Sequence, residues 1–464
     1  MARKAVVVGS GPVGASVARR LAERGMSVLL IEAGAPTTPR QARGSASPPG
    51  SHLRNEPGLA DDPTAFFEAL LERCRFFNPK ASAEGLPGAA ESRNFGGQGI
   101  LWTNNCPELQ ARLDRWDALD DRGWEERYAE ARAVLGVRTD LDAGGVLGRS
   151  VAERLSAHFA AAGSTRRAAA LPTAARRLPD GRVHWTAPAD ILDDLPPGVR
   201  SRIDIRTGLE VRRLERRGRT VAALVLGSGR LEDFGAVVIA CGAVGNAMLL
   251  HASGIRPYAL GRWLHYHPLL FAQVMLDPAL CAGADADSAA PGPRLFVAPT
   301  AQAPWHSMFL RDIFPRLPDA EPAPSRRTLD LQFLAPVVPR AEHRIDFEAA
   351  AGLRFEVTLS EEDRACVAAM RSDMDECAQL LGRWRRGCEP QENPPGFSHL
   401  MGTTRMGRSP ENSVVDPTGR VHGFDNLFVA GVGIVPVAIA VNPTLTAVAL
   451  ALVSADAIAG AAGC

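Results

Sequence analysis

The feature that most narrows the fold of this chain lies at its start. Residues 4–34 read KAVVVGSGPVGASVARRLAERGMSVLLIEAG. Lys4 opens a short β-rich run that leads into Gly9-Ser10-Gly11-Pro12-Val13-Gly14. Apolar residues at helical spacing continue to about Arg24, and a second apolar run ends at Glu32. This is a G-x-G-x-x-G in the strand–turn–helix–strand setting that gives the motif meaning. Gly9 permits the tight turn, Gly11 lets a pyrophosphate approach the backbone, and Gly14 lets helix pack on strand. Glu32 follows at the distance, about 20 residues, where an acid meets an adenosine ribose. An incidental Gly-rich turn would not bring flanking strands and the acid with it. An α/β fold (α+β overall) is expected, with a Rossmann-like dinucleotide domain that carries a βββ-type insertion. No second G-x-G-x-x-G stands in a strand–helix setting, which argues against a second nucleotide domain.

At 464 residues the chain is long enough for two domains and a large core. Acidic and basic residues balance at 52 each, so no positive excess points to nucleic acid. The eight cysteines, at 74, 106, 241, 281, 366, 377, 388 and 464, form no C-x-x-C pair. Neither a zinc site nor a redox dithiol is indicated, and reduced thiols in a cytoplasmic protein are the simplest expectation. A first strand starting at Lys4 leaves no room for a signal peptide. The apolar C-terminal region is interrupted by Pro436, Asn442-Pro443 and Asp456, so no membrane span of about 20 residues is expected.

Residues 35–63, rich in Pro, Gly, Ser and Asp, read as a long surface connection before the helix-like PTAFFEALLERC. Residues 94–107 read NFGGQGILWTNNCP. Glycines at 96, 97 and 99 allow close approach to a planar or anionic ligand, and a plain turn before a strand is the equal alternative. Residues 123–136 and 149–162 read as exposed helices. Over 203–242, two β-rich runs joined at Gly227-Ser228-Gly229 lead into AVVIACG, a strand expected to rejoin the dinucleotide sheet, then a helix to about His251. From 257 to 395 the texture changes to β-like runs at 267–276, 305–312, 328–337 and 343–349, with Pro-rich connections. Ser360-Glu361-Glu362-Asp363 resembles a capping box opening a helix to about Leu381. The expected partition is a discontinuous dinucleotide domain (1–110, 200–256, 396–464) and a substrate domain with cap (111–199, 257–395) built on a mainly antiparallel sheet. His265-Tyr266-His267 has no carboxylate or thiolate set to complete a metal site, and His422 beside Gly423 reads as structural.

Residues 398–446 carry the candidate chemistry. Asn426 to Ala430 reads as a buried strand ended by Gly431-Val432-Gly433. Asn442 is placed to cap an Ala/Leu/Val-rich helix, with Pro443 at its first position. A helix N-terminus suits a bound group that gains negative charge, such as the pyrimidine edge of a reduced flavin. His399, with an ordinary pKa of about 6.5, can accept a proton near neutrality; a satisfied core histidine is its plainer reading.

Taken in order, GSGPVGA…IEAG, NFGGQG, VVIACGAVGNAMLL, GRWLHYHP, SHLMGTTRMG and NPTLT resemble the glucose–methanol–choline (GMC) family of FAD-dependent oxidoreductases. The likeness covers about the first 110 residues, 203–268 and 396–464, and is weak between. It implies that Gly9, Ser10, Gly11, Gly14 and Glu32 hold the ADP half of FAD, with Val211 against the adenine. Gly97 and Gly99 would lie along the pyrophosphate or flavin. Gly431 and Val432, with Asn442, Pro443 and Thr444 at the helix start, would line the flavin's polar edge. His399 and Asn442 stand at the family's two catalytic positions. GGQGILWTNNCP is most similar to the pyranose oxidase-like branch, which implies Thr103 near flavin N5, Asn104 beside it, and a sugar-like substrate. The residue carrying a covalent flavin in some members falls on Leu101, which implies non-covalent FAD. A narrower resemblance is to alcohol oxidases and dehydrogenases that tailor aminocyclitol antibiotics.

The implied reaction oxidises a primary or secondary alcohol to an aldehyde or ketone. His399 accepts the hydroxyl proton, Asn442 holds the same oxygen, the hydride passes to flavin N5, and oxygen or another acceptor takes the electrons. Two alternatives stand beside it. A sterol or other hydrophobic alcohol predicts an apolar pocket from residues 257–395, where a sugar predicts polar or acidic groups. A flavin-binding protein without alcohol chemistry is the other.

Overall fold

Two sheets organise the computed structural model, which describes residues 4–35, 49–56, 58–59, 62–141, 145–281, 292–311, 320–323, 327–349 and 352–464. The first sheet is five-stranded and parallel throughout. Its order is Leu427–Val429, Ala236–Ile239, Lys4–Val8, Ser27–Ile31, Ile203–Arg206. Strands buried on both faces read as near-continuous Val/Ile/Leu runs. Val6, Val7, Leu29, Leu30, Val237 and Val238 are all fully buried here. AVVIACG rejoins the sheet as expected, with Val6 facing Val237.

The helix Pro12–Glu23 packs against the helix Thr444–Ala462, and Asp121–Leu135 covers the latter from another side. Burial explains why Thr444–Ala462 is apolar nearly all round. By length and composition it would suffice to cross a membrane, but most of it is enclosed by its neighbours. Asp456, expected to interrupt this segment, does not. It faces Arg20 Nε at 2.8 Å, Arg24 Nε at 2.9 Å and Arg127 Nη1 at 2.6 Å. Burial pushes its carboxyl up, but the three guanidinium groups hold it well below the usual carboxylate range.

The expected pair of β-rich runs resolves into more pieces, three of which make the expected βββ-type insertion. Ile203–Arg206 belongs to the parallel sheet, while Val211–Arg217, Thr220–Leu226 and Gly229–Leu231 form an antiparallel meander. The extra breaks fall at Gly208 and Gly218, both at positive φ.

The second sheet is antiparallel and seven-stranded. Its order is Gly382–Trp384, Leu269–Leu276, Thr328–Leu334, His306–Leu310, Leu295–Val297, Ala168–Ala170, with Gln391–Glu392 also paired to Leu269–Leu276. Three of the four expected runs lie in it; the fourth, Arg344–Asp346, pairs with Arg354–Glu356 in a separate ribbon. Parts of the Pro-rich connections, 282–291 and 312–319, lie outside the described residues. The capping box is present: Asp363 N–H donates to Ser360 Oγ at 3.0 Å, and Ser360 N–H to Asp363 Oδ2 at 2.8 Å. It opens Glu361–Leu381, which buries Met370, Met374, Cys377 and Leu381 against this sheet.

The helices expected to be exposed each bury one face, through Trp124 and Tyr128 in Asp121–Leu135 and through Val151 and Leu155 in Val146–Ala161. Asp121–Leu135, grouped by sequence with the substrate part, packs on the parallel-sheet layer instead. Of the expected surface connection, 36–48 lie outside the described residues, but His52, Leu53, Arg54 and Glu56 are buried. Leu53 joins Leu59, Phe66, Ile100 and Leu101 in a small core, which draws this segment inward. All eight cysteines are unpaired.

Candidate active site

The first strand ends at Gly9, whose φ of +103° and crowding by the Ala240 carbonyl, 2.4 Å from where a Cβ would sit, admit only glycine. A Cβ on Gly14 would lie 2.0 Å from the Gly9 carbonyl oxygen, so helix and strand touch here through bare backbone. Pro12 takes the first turn of the helix, where its missing N–H has no partner to lose. Glu32 closes this end. Its Oε2 accepts from Ser10 N–H at 3.1 Å and Ser10 Oγ–H at 2.6 Å, and its Oε1 accepts from Gly34 N–H at 2.7 Å. Ser10 Oγ in turn accepts from Gly96 N–H at 2.8 Å, tying the two glycine-rich turns together.

From Gly96 the chain runs along the cavity wall to Asn105. Trp102 Nε1–H donates to Thr186 O at 3.0 Å. Asn104, expected beside the cofactor, turns away: its Nδ2 donates to Ala174 O at 2.7 Å and Thr186 O at 2.9 Å. Its neighbours Thr103 and Asn105 line the cavity. Arg294, which sequence reasoning passed over, braces this segment. It is buried, and donates to Thr103 O at 3.2 Å, Asn105 Oδ1 at 2.6 Å and Thr173 Oγ1 at 3.2 Å. Burial, then the nearby Arg54, pushes its guanidinium down to about 9. Nothing in the local sequence marks Arg294, because its partners come from distant stretches.

At the other end, a short antiparallel pairing aligns the segments that hold the histidines. His265 N–H donates to Met401 O at 3.1 Å, and Met401 N–H to His265 O at 2.8 Å. Two residues further along, His267 Nδ1 and His399 Nδ1 lie 2.9 Å apart. His267 Nε2 is 2.6 Å from Ile439 O, and Asn442 Nδ2 is 3.5 Å from His399 Nε2. His399 adopts φ +55°, a left-handed conformation costly for a residue with a Cβ. Burial pushes its imidazole down to about 4, so the ring is neutral at physiological pH. His267 is held well below its ordinary value by burial and then by His399.

The helix beyond Asn442 begins one residue later than expected, at Thr444, with Pro443 as its capping residue at φ −84° and no side-chain cap. The Asn442 side chain reaches towards His399 and is not spent on the helix. His265 Nδ1–H donates to Trp263 O at 2.8 Å, and His422 pairs with Ser413 Oγ at 2.8 Å. Among the described residues no group of side chains is arranged to hold a metal.

One cavity of about 920 Å³ joins the two ends. Gly9, Ser10, Gly11, Glu32, Gly97, Gly99, Thr103, Val211, Gly431, Val432, His399, Asn442, Pro443 and Thr444 all line it; Gly14 and Asn104 do not. The antiparallel sheet adds Leu269, Phe271, Gln332, Gln391 and Glu392, and the residue after it, Asn393, also lines the cavity. The fit to FAD is good on two observations. The turn at Gly9 and Gly11 leaves bare backbone beside a helix N-terminus, as a pyrophosphate needs. At the opposite end the buried Asn442 Oδ1 has no hydrogen-bond partner among the described residues.

Comparison with known proteins places the chain in a family. Residues 4–290 match the model of the FAD binding domain, and residues 350–451 that of the GMC oxidoreductase. The chain is 31% identical over 430 residues to pyranose 2-oxidase of Tricholoma matsutake, covering 82% of this chain and 75% of the relative. It is 31% identical over 503 residues to C-glycoside 3-oxidase of Microbacterium trichothecenolyticum, covering 96% and 94%. A shorter match, 44% over 89 residues and 18% of this chain, is to paromamine 6'-oxidase of Streptomyces fradiae, of which it covers 16%. The fold is shared with the crystal structure of pyridoxine 4-oxidase from Mesorbium loti, at a TM-score of 0.65 and 22% identity over 98% of this chain and 99% of that one. A glycine turn closed by Glu32, a cavity leading to a neutral histidine, and these matches agree: the chain belongs to the GMC oxidoreductases, enzymes that use FAD to oxidise alcohol groups.

Proposed function

We propose that this enzyme oxidises a hydroxyl of a sugar-like substrate to the carbonyl, with His399 as the base. The observation that carries the reading is the convergence of His399 Nε2 and Asn442 Nδ2, 3.5 Å apart, on the cavity that begins at the Gly9 turn. Bound FAD supplies the acceptor for the carbinol hydride at its N5. The protein's own part is proton and position. A neutral His399 takes the hydroxyl proton, which makes the oxygen alkoxide-like and the carbon a better hydride donor. Asn442 Nδ2–H donates to that oxygen and holds it in line. Thr444 and its neighbours would present helix N-terminal N–H groups to negative charge gained by a bound flavin. Leu101, aliphatic and lining the cavity, offers no nucleophile for a covalent link, so FAD is held non-covalently.

The wall speaks for a polyhydroxylated substrate. Gln332, Gln391 and Asn393 supply amides and Glu392 a carboxylate, beside only Leu269 and Phe271 as apolar surface from the antiparallel sheet. A sterol would leave the amide of the buried Gln332 unpaired, where a substrate hydroxyl could meet it. The carboxylate also suits an amine, which brings amino sugars of the paromamine type within the class. Pyranose 2-oxidase and C-glycoside 3-oxidase as relatives support the sugar reading. Oxygen is the acceptor those two names imply.

The test is anaerobic flavin bleaching by a panel of sugars, C-glycosides, amino sugars, sterols and simple alcohols, followed by admission of air. Bleaching by a polyhydroxylated compound and rapid recovery in air are expected. Bleaching by sterols alone would overturn the substrate class. The variant His399→Ala should keep FAD and lose flavin reduction by about 10³-fold or more; normal reduction in that variant would remove His399 from the chemistry.

A further inference from the structure

We propose that His267 is the positioning residue that fixes His399 in the one tautomer whose lone pair faces the substrate. The inference rests on the reading of His399 as the base. It follows from three contacts taken in sequence. His267 Nε2 lies 2.6 Å from Ile439 O. A carbonyl oxygen only accepts, so His267 Nε2 carries the hydrogen. A neutral imidazole has one N–H, so the lone pair of His267 is on Nδ1. That atom is 2.9 Å from His399 Nδ1, which must therefore be the donor. The lone pair of His399 is left on Nε2, beside Asn442 Nδ2 at 3.5 Å and on the cavity wall.

The reverse arrangement is costly in either form. With His267 neutral and donating from Nδ1, a lone pair on its Nε2 would face the Ile439 oxygen at 2.6 Å. With His267 doubly protonated, a cation would sit in a site 2% exposed, with His265, His306 and His399 as its titratable neighbours and no carboxylate among them. Burial disfavours that charge. The backbone supports the chain of contacts: the pairing of His265 with Met401 sets the two histidines in register, and Ile439 is itself buried. A His399 that carried its hydrogen on Nε2 would present a donor to the substrate hydroxyl and could not take its proton there.

Two variants and one spectrum decide it. In ¹⁵N-histidine-labelled holoenzyme, with the His399→Ala spectrum for assignment, His399 should show a protonated Nδ1 and an unprotonated Nε2. His267→Leu removes the acceptor. His399 should then populate both tautomers, and the limiting rate of flavin reduction should fall about 10–100-fold, as when an orienting partner is lost. Apparent substrate affinity should change little. His267→Gln keeps an acceptor for His399 and a donor for Ile439, and should restore most of the rate. An unprotonated Nδ1 on His399 in the wild type, or His267→Leu reducing at the wild-type rate, would overturn the proposal. Should His267→Leu fail to fold, the wild-type spectrum and His267→Gln still decide. If the tautomer is as expected but His399→Ala reduces normally, the positioning holds and the catalytic reading of His399 falls instead.

Discussion

The two ends of the cavity are built on opposite terms. At the nucleotide end every polar atom of the Ser10–Glu32 pair is engaged: both Glu32 oxygens accept, and Ser10 Oγ both donates and accepts. At the catalytic end groups are left open. Among the described residues, Asn442 Oδ1 and both ring nitrogens of the buried His306 have no hydrogen-bond partner, and His399 sits in a left-handed conformation. A buried unpaired polar atom costs roughly 1–3 kcal/mol, as does such a backbone. The first end is stable before anything binds. The second keeps unmet valence and strain where charge must change during reaction, which is where preorganised dipoles act.

That contrast predicts where substitutions hurt. The largest effect should come from Gly14→Ala, which sets a methyl 2.0 Å from the Gly9 carbonyl oxygen and pries helix from strand. It should destabilise the fold by about 3 kcal/mol or more and yield protein purified largely without flavin. Normal flavin content with unchanged denaturant unfolding would break the account of the closed end.

A pH profile sharpens the open end. Burial holds His399 down to about 4, so it stays neutral well into acid. The rate of flavin reduction should therefore hold from neutrality down to about pH 5 and fall about tenfold per unit only below the folded value. An acid limb centred at the ordinary histidine value of about 6.5 would show that the base is not so enclosed. Stability has the matching sign: because the folded value is depressed, the neutral buried ring contributes fully above pH ~6.5 and progressively less as pH falls from there to the folded value of about 4.

The smallest effect should be structural and remote from both ends. Asp456→Asn removes the negative charge, and one of the two acceptor oxygens, that Arg20, Arg24 and Arg127 share. It should cost roughly 1–2 kcal/mol at neutral pH, since the carboxylate is only partly buried. Its folded value is depressed, so the wild-type advantage should be present above about pH 4 and shrink as pH falls further. Urea unfolding at neutral and acid pH measures it, and flavin reduction should be unchanged.

The same contrast explains what the sequence disclosed. Ser10 and Glu32 are separated by 22 positions within one strand–turn–helix–strand unit, so local spacing carried the geometry. His267 and His399 are 132 positions apart, and His267 was legible only as half of a short His-x-His with no metal partners. The signal that finds it is pairing between two distant segments, which periodicity does not encode. Asn442 was legible as a residue but not in the contact it makes. Spacing pointed to a helix cap, and the side chain serves His399 instead. Asp456 read as a break because a lone acid in an apolar run resembles one, and the three arginines that neutralise it come from two other helices and the turn after the first. Asn104 was grouped with its neighbours by sequence, whereas its left-handed backbone, at φ +59°, turns the side chain to Ala174 and Thr186.

The pairing of His265 with Met401 has a mechanical meaning. His267 stands at the entry to the long strand Leu269–Leu276 of the antiparallel sheet, while Met401 and Thr403 lead back to the parallel-sheet layer, where Thr403 Oγ1–H donates to Ala243 O at 2.7 Å. The His267–His399 pair is thus a joint between the antiparallel sheet and the parallel-sheet layer. A slip of one layer against the other by the length of a hydrogen bond would part His399 from His267, which lie 2.9 Å apart. On the proposed role of His399, the chemistry is interlocked with the seating of one sheet layer on the other.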